Sequence, residues 1–123
     1  MPTWTPEDLA VYRATARRMR EQGREAEAAR REKAWAIARA AAELLRTQFH
    51  ATRVVVFGSL AREMGFTPWS DIDIAAWGID PLDTLRAIGA TMDMAGGIEV
   101  NLVDVNTAKP ALLDAIERDG IDV

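Results

Sequence analysis

The chain has 123 residues, 49% of them apolar and 28% charged, an ordinary globular composition for one domain with a modest core. It has no cysteine and a single histidine, His50, which excludes a disulfide framework, a thiol nucleophile and a His-rich zinc site. The net charge of −4 hides an asymmetry: residues 1–53 carry 11 Lys/Arg against 7 Asp/Glu, and residues 54–123 carry 4 against 12.

The acidic second part suits cation binding and argues against a general nucleic-acid surface there. No apolar run approaches the ~18 residues of a membrane span. The stretch Met1-Pro2-Thr3-Trp4-Thr5-Pro6 lacks the basic and apolar regions of a signal peptide, so the expected compartment is the cytoplasm.

Thr5-Pro6-Glu7-Asp8 reads as a helix start: a threonine N-cap, proline at the first helical position, and acids in the first turn. Helical composition then continues to Gln48, interrupted by Gly23 alone. Leu9, Tyr12, Ala16, Met19, Gly23 and Ala26 follow alternating three- and four-residue steps and draw one narrow stripe. The stripe loses its apolar character at Arg30 and Lys33, then resumes as Trp35, Ile37, Ala38, Ala41, Leu44 and Leu45. This predicts one long helix, or two hinged near Gly23, with about Trp35 to Gln48 packed on a sheet. The first part has too little apolar surface to fold alone and is expected to lean on a partner chain or on its own copy. Residues 1–50 thus form a helical extension, joined to the domain from about residue 35, and residues 51–123 form the core. The arginines of the extension read as a solvated helix face, with Glu27 and Arg31 spaced to pair, and as a partner-docking surface second. His50, in the connection that follows, receives no role.

Val54-Val55-Val56-Phe57 is a short β-branched and aromatic run of the kind that forms a buried strand. Gly58-Ser59 ends it, and Leu60-Ala61-Arg62-Glu63-Met64 reads as the first turns of a helix. A strand, a glycine, a hydroxyl and a helix start make a phosphate site, since exposed N–H groups and the helix dipole point at an anion. After the loop Gly65–Ser70, a second strand begins Asp71-Ile72-Asp73-Ile74. Strand period is two, so Asp71 and Asp73 project from one face. Paired carboxylates beside a phosphate cradle suit Mg²⁺ holding a nucleoside triphosphate. Trp69 and Trp77 flank this strand and read as wall residues. Trp69 could stack on a base, although packing is the favoured reading.

Asp80-Pro81 predicts the cap and start of another helix, with Leu82, Leu85, Ile88, Gly89 and Met92 at helical spacing and Gly96-Gly97 as its stop. Ile98–Val105 reads as the third strand. A last helix is expected to begin at Thr107 or Ala108 and to end at Gly120, with Ile121-Asp122-Val123 adding a short edge strand.

Gly58-Ser59-Leu60-Ala61-Arg62, followed at this spacing by Ser70-Asp71-Ile72-Asp73-Ile74, resembles the minimal nucleotidyltransferases (MNT) of the DNA polymerase β-like superfamily. The resemblance covers roughly Ala51 to Val123. It implies an α+β nucleotidyltransferase (polymerase β palm-like) fold, a small mixed sheet flanked by helices, here with the long N-terminal helix or helical hairpin. It also implies that Asp71 and Asp73 hold Mg²⁺, that Gly58 and Ser59 cradle the phosphates of ATP or another NTP, that Ser70 belongs to the same nucleotide-binding set, and that Arg62 neutralises phosphate charge or braces the loop.

The superfamily adds a third carboxylate from the next strand, and the position that matches it here is Asn101. Asparagine offers one neutral oxygen and cannot act as a base. Glu99, two residues away on the same strand face, is the alternative catalytic carboxylate, and Asp104 falls on the opposite face. Either Glu99 completes the site or the chain binds nucleotide and transfers poorly.

MNT proteins often pair with HEPN-domain ribonuclease toxins and adenylylate a tyrosine on them. The resemblance therefore implies an antitoxin that transfers AMP, or a contact-only module of the same fold. Transfer to an aminoglycoside has little support in a chain without a second substrate-binding domain.

Overall fold

The computed structural model describes residues 3–63, 65–94 and 96–123. Met64, the end of the expected helix after Gly58-Ser59, lies outside these residues, as do Met1 and Pro2 of the N-terminal stretch.

The N-terminal region is a single helix, α1, Pro6–Phe49, 44 residues and about 66 Å long. Thr5 caps it as expected: its hydroxyl accepts from the Asp8 N–H at 3.1 Å, and the Asp8 carboxylate accepts from the Thr5 N–H at 3.0 Å. Gly23 does not hinge it, because one glycine costs a helix only about 1 kcal/mol. His50 closes the helix in a left-handed conformation at φ 59° and donates its N–H to the Leu45 carbonyl.

Four strands form one mixed sheet in the order β3-β2-β1-β4. They are β1 (Arg53–Phe57), β2 (Ile72–Trp77), β3 (Val100–Asp104) and β4 (Ile121–Asp122). Strand β1 runs antiparallel to β2 and β4, and β3 runs parallel to β2. Helix α2, Thr84–Asp93, makes the crossover from β2 to β3, and α3, Pro110–Asp119, joins β3 to β4.

Strand alternation gives the sheet two unequal faces. Val54, Val56, Ile72, Ile74, Ala76 and Val100 bury one face beneath Ala34, Ala38, Ala41, Leu45 and Phe49 of α1 and Ala87 of α2. The opposite face carries a smaller cluster in which Ile116 of α3 packs on Val55 and Ala75, flanked by Phe57, Trp77 and Val103. Asp73 and Asn101 belong by alternation to this second face, at the end that α3 does not cover.

Three local expectations are corrected. Gly58–Ala61 is a four-residue 3₁₀ turn, and Arg62 beyond it is extended, so no α-helix dipole stands behind the Gly-Ser elbow. Pro81–Asp83 is likewise a 3₁₀ turn, capped by Asp80, and Leu82 and Leu85 are exposed. Helix α2 docks instead through Ala87 and Thr91, whose hydroxyl is satisfied by the carbonyls of Ala87 and Ile88. The last helix starts at Pro110 rather than Thr107, because the Asp104 carboxylate accepts from the Asn106 N–H and the Thr107 hydroxyl and holds the chain in a turn.

No described helix is long and apolar enough to cross a membrane.

Candidate active site

The ends of three strands converge at the open part of the second face. Phe57, the last residue of β1, pairs with Asp73 of β2, and Asp73 pairs with Asn101 of β3. The Gly-Ser elbow therefore leaves β1 directly beside the paired acids. Gly58 takes a left-handed φ of 72°, and a Cβ there would overlap the Asp73 carboxylate. Only glycine lets the elbow approach so closely.

Asp71, one residue ahead of β2, shares a side with Asp73. One amide group demonstrates this: Asn101 Nδ2 donates to Asp71 Oδ2 at 3.3 Å and to Asp73 Oδ1 at 3.5 Å. Asn101 thus fills the gap between the two carboxylates with a donor. Burial pushes the half-buried Asp73 carboxyl above its ordinary value. The Asn101 hydrogen bond opposes the rise and the Asp71 charge adds to it. A positive group at this spot, such as a divalent cation, would relieve that penalty. The donor set fits Mg²⁺, which is held through one or two carboxylates together with substrate phosphates. Turning the Asn101 amide over would present its oxygen instead.

Glu99 sits just before β3, exposed, with its carbonyl accepting from the Ile72 N–H at 2.8 Å. Among the described residues no three Asp, Glu or His side chains converge closely enough to hold a metal, so Glu99 does not complete a three-carboxylate metal site with Asp71 and Asp73. Asp104 is engaged in its own turn. Ser59 is half-buried within the elbow, and Arg62 follows it, exposed, with its N–H donated to the Ser59 carbonyl at 3.3 Å.

Ser70 organises the approach loop. Its hydroxyl accepts from the Thr67 N–H at 2.9 Å, stands 3.1 Å from the Thr67 hydroxyl, and lies 3.4 Å from the Gly65 carbonyl. Trp69, expected to pack, is 88% exposed at the tip of this loop. Proline at 68 and the tight 67–70 turn push it outward. Trp77 does pack, half-buried, with the Arg53 guanidinium 4.6 Å from its ring centroid.

Arg31 is the residue that sequence reasoning missed. It does not pair with Glu27. Instead Nη2 donates to the Leu60 carbonyl at 3.0 Å, tying α1 to the elbow turn, while Nη1 is buried without a partner. Its place in a run of arginines gave no sign of this, because the contact spans 29 positions.

Residues 40–123 match the family model described as Polymerase beta, Nucleotidyltransferase. Among solved structures, the chain is similar to a protein classed as a minimal nucleotidyltransferase, at 29% identity and a TM-score of 0.60, covering 76% of this chain and 95% of that one. It is also similar to two mutants of the toxin–antitoxin MntA–HpeT, both at a TM-score of 0.51. One, at 23% identity, covers 65% of this chain and 66% of that one, and supports the fold alone. The other, at 26% identity, covers 66% of each. No curated protein matches in sequence. With more than half of its length matched by the family model, the chain belongs to the polymerase β nucleotidyltransferase family.

Proposed function

We propose that this protein is a Mg²⁺-dependent nucleotidyltransferase that moves AMP from ATP to a hydroxyl on a partner protein, as an MNT-type antitoxin does to a HEPN ribonuclease toxin. The observation that carries this reading is the meeting of Gly58, Asp73, Asp71 and Asn101 at one open strand end. Asp71 and Asp73 would hold the cation, which would supply charge neutralisation for the triphosphate and the leaving group. The backbone at Gly58 and the Ser59 hydroxyl would receive the phosphates. The acceptor hydroxyl forms the new O–P bond at the α-phosphorus, the bond from that phosphorus to the bridging oxygen breaks, and pyrophosphate leaves. Asn101 cannot take the hydroxyl proton, which falls to Glu99 or to water. The work of the protein is positioning and electrostatics.

The partner reading is supported by the toxin–antitoxin relatives and by apolar side chains left in solvent. Leu85 on α2 and Leu82 in the 3₁₀ turn before it stand exposed, at 83% and 90%.

A second reading is favoured by Asn101. With an amide where the superfamily has a carboxylate, the protein would neutralise its partner by contact alone. Incubation of the purified complex with ATP labelled at the α-phosphate separates the two. Covalent label on the partner, lost in Asp71→Ala and Asp73→Ala, is the expected result. A tight complex that never takes up label overturns transfer and leaves the contact reading.

A further inference from the structure

From Pro6 to Ala29, α1 is exposed on every side apart from a half-buried Ala16. Helices in proteins draw most of their stability from packing one face, which this arm lacks, and it carries Trp4, Tyr12 and Met19 at 63%, 64% and 66% exposure. We infer that this arm is an interface for a second copy of the same chain, packed antiparallel about a two-fold axis between Ala16 and Met19.

The seam selects that occupant and that register. Leu9, Tyr12, Ala16, Met19, Gly23 and Ala26 keep coiled-coil spacing. Antiparallel pairing about that axis puts Leu9 opposite Ala26, Tyr12 opposite Gly23, and Met19 opposite Ala16. Every layer then joins a large side chain to a small one, and all the pairs come from one self-complementary stripe, as an isologous dimer requires. A parallel pairing would set Tyr12 on Tyr12 and leave a void at Gly23.

The ends fit the same register. Trp4 packs edge-on to Tyr12 with ring centroids 6.4 Å apart, and with Leu9 the two line a shallow cavity. At the other end, Gly23, Ala26 and Arg30 face Phe66 and Pro68 across a groove of about 370 Å³. Antiparallel overlap brings Trp4 of the second copy level with Arg30 and Arg31, into that groove. Arg30 Nε is buried there without a partner, and its guanidinium already lies over the Phe66 ring at 5.9 Å. The overlap from Leu9 to Ala26 spans about 27 Å of helix, and the two Trp4 side chains extend it at both ends. The interface stands independently of catalysis, since none of its residues belongs to the Asp71–Asp73 site.

Sedimentation equilibrium of the full chain tests the inference, with a mass twice the 13.6 kDa of one chain expected. A Cβ at Gly23 meets nothing within 4 Å in the single chain, so Gly23→Leu is expected to keep the fold and to return the monomer mass by filling the space opposite Tyr12 of the second copy. The chain lacks cysteine, so register is read by oxidation. An equimolar mixture of Leu9→Cys and Ala26→Cys is expected to cross-link, and each variant alone is not. A monomeric unmodified chain, a Gly23→Leu variant that stays dimeric, or cross-linking of either single variant alone overturns the inference.

Discussion

Gly58 and Asp73 lie back to back: the glycine, at φ 72°, leaves no room for a Cβ beside the Asp73 carboxylate. Any side chain at 58 must displace the acid or bend the elbow. Gly58→Ala is therefore expected to destabilise the fold by more than ~1 kcal/mol and to weaken ATP binding together. Urea unfolding and nucleotide titration check the two effects. A variant of unchanged stability would mean that the elbow is free to move away from Asp73.

Asp73 is held at a cost. Its folded value is raised above the ordinary 3.8, chiefly by burial, so its contribution to stability is complete below 3.8 and is lost as pH rises through the folded value. At neutral pH without divalent cations, Asp73→Asn is expected to raise Tm, with the gain vanishing in strong acid. The same variant is expected to lose Mg²⁺-dependent nucleotide binding. Thermal melts across pH, with chelator and with Mg²⁺, test both halves.

Asn101→Asp replaces the amide that bridges Asp71 and Asp73 with a third charge. Without metal the variant is expected to be less stable, because three carboxylates then share one strand end. With Mg²⁺ it is expected to bind the ion more tightly and to transfer AMP faster. Tighter binding without faster transfer would place the protein among contact-only members.

Arg31 couples the long helix to the elbow through the Leu60 carbonyl. Arg31→Ala removes that hydrogen bond and leaves a partly buried acceptor unpaired, a loss of about 1–3 kcal/mol. Nucleotide affinity is expected to fall with it, since the turn beside Asp73 is then held from one side only. Arg62→Ala, which removes an exposed side chain at the end of the same turn, is expected to leave stability within about 0.5 kcal/mol of the parent.

The Thr5–Asp8 capping box contributes to the pH response of the arm. The Asp8 carboxyl lies below its ordinary value because it accepts from the Thr5 N–H and is bonded to the Thr5 hydroxyl. A depressed acid contributes stability above its unfolded value of 3.8 and loses it as pH falls through the folded one. Helicity of the arm is expected to hold down to pH 3.8 and to decline below it, and Asp8→Ala is expected to lack that step. Far-UV circular dichroism gives the measure.

Local chemistry alone was enough for much of this molecule. Thr5-Pro6 began α1, the Val54–Phe57 run made β1, Asp71 and Asp73 shared a side, and Ile121-Asp122 returned as an edge strand, because caps, β-branched runs and the two-residue strand period act over a few neighbours. Short range also explains the failures. The segment after Gly58 has helical composition yet makes only a 3₁₀ turn, since Gly58 is packed against Asp73 and the Leu60 carbonyl is held by Arg31. Trp69 reads as apolar yet points to solvent, since the Thr67–Ser70 turn fixes its direction. Which of two sheet faces would stay uncovered, that Asn101 would span both acids, and that Arg31 would reach Leu60 were decided by tertiary packing. Each depends on pairing between residues some 30 positions apart, and no local preference carries that information.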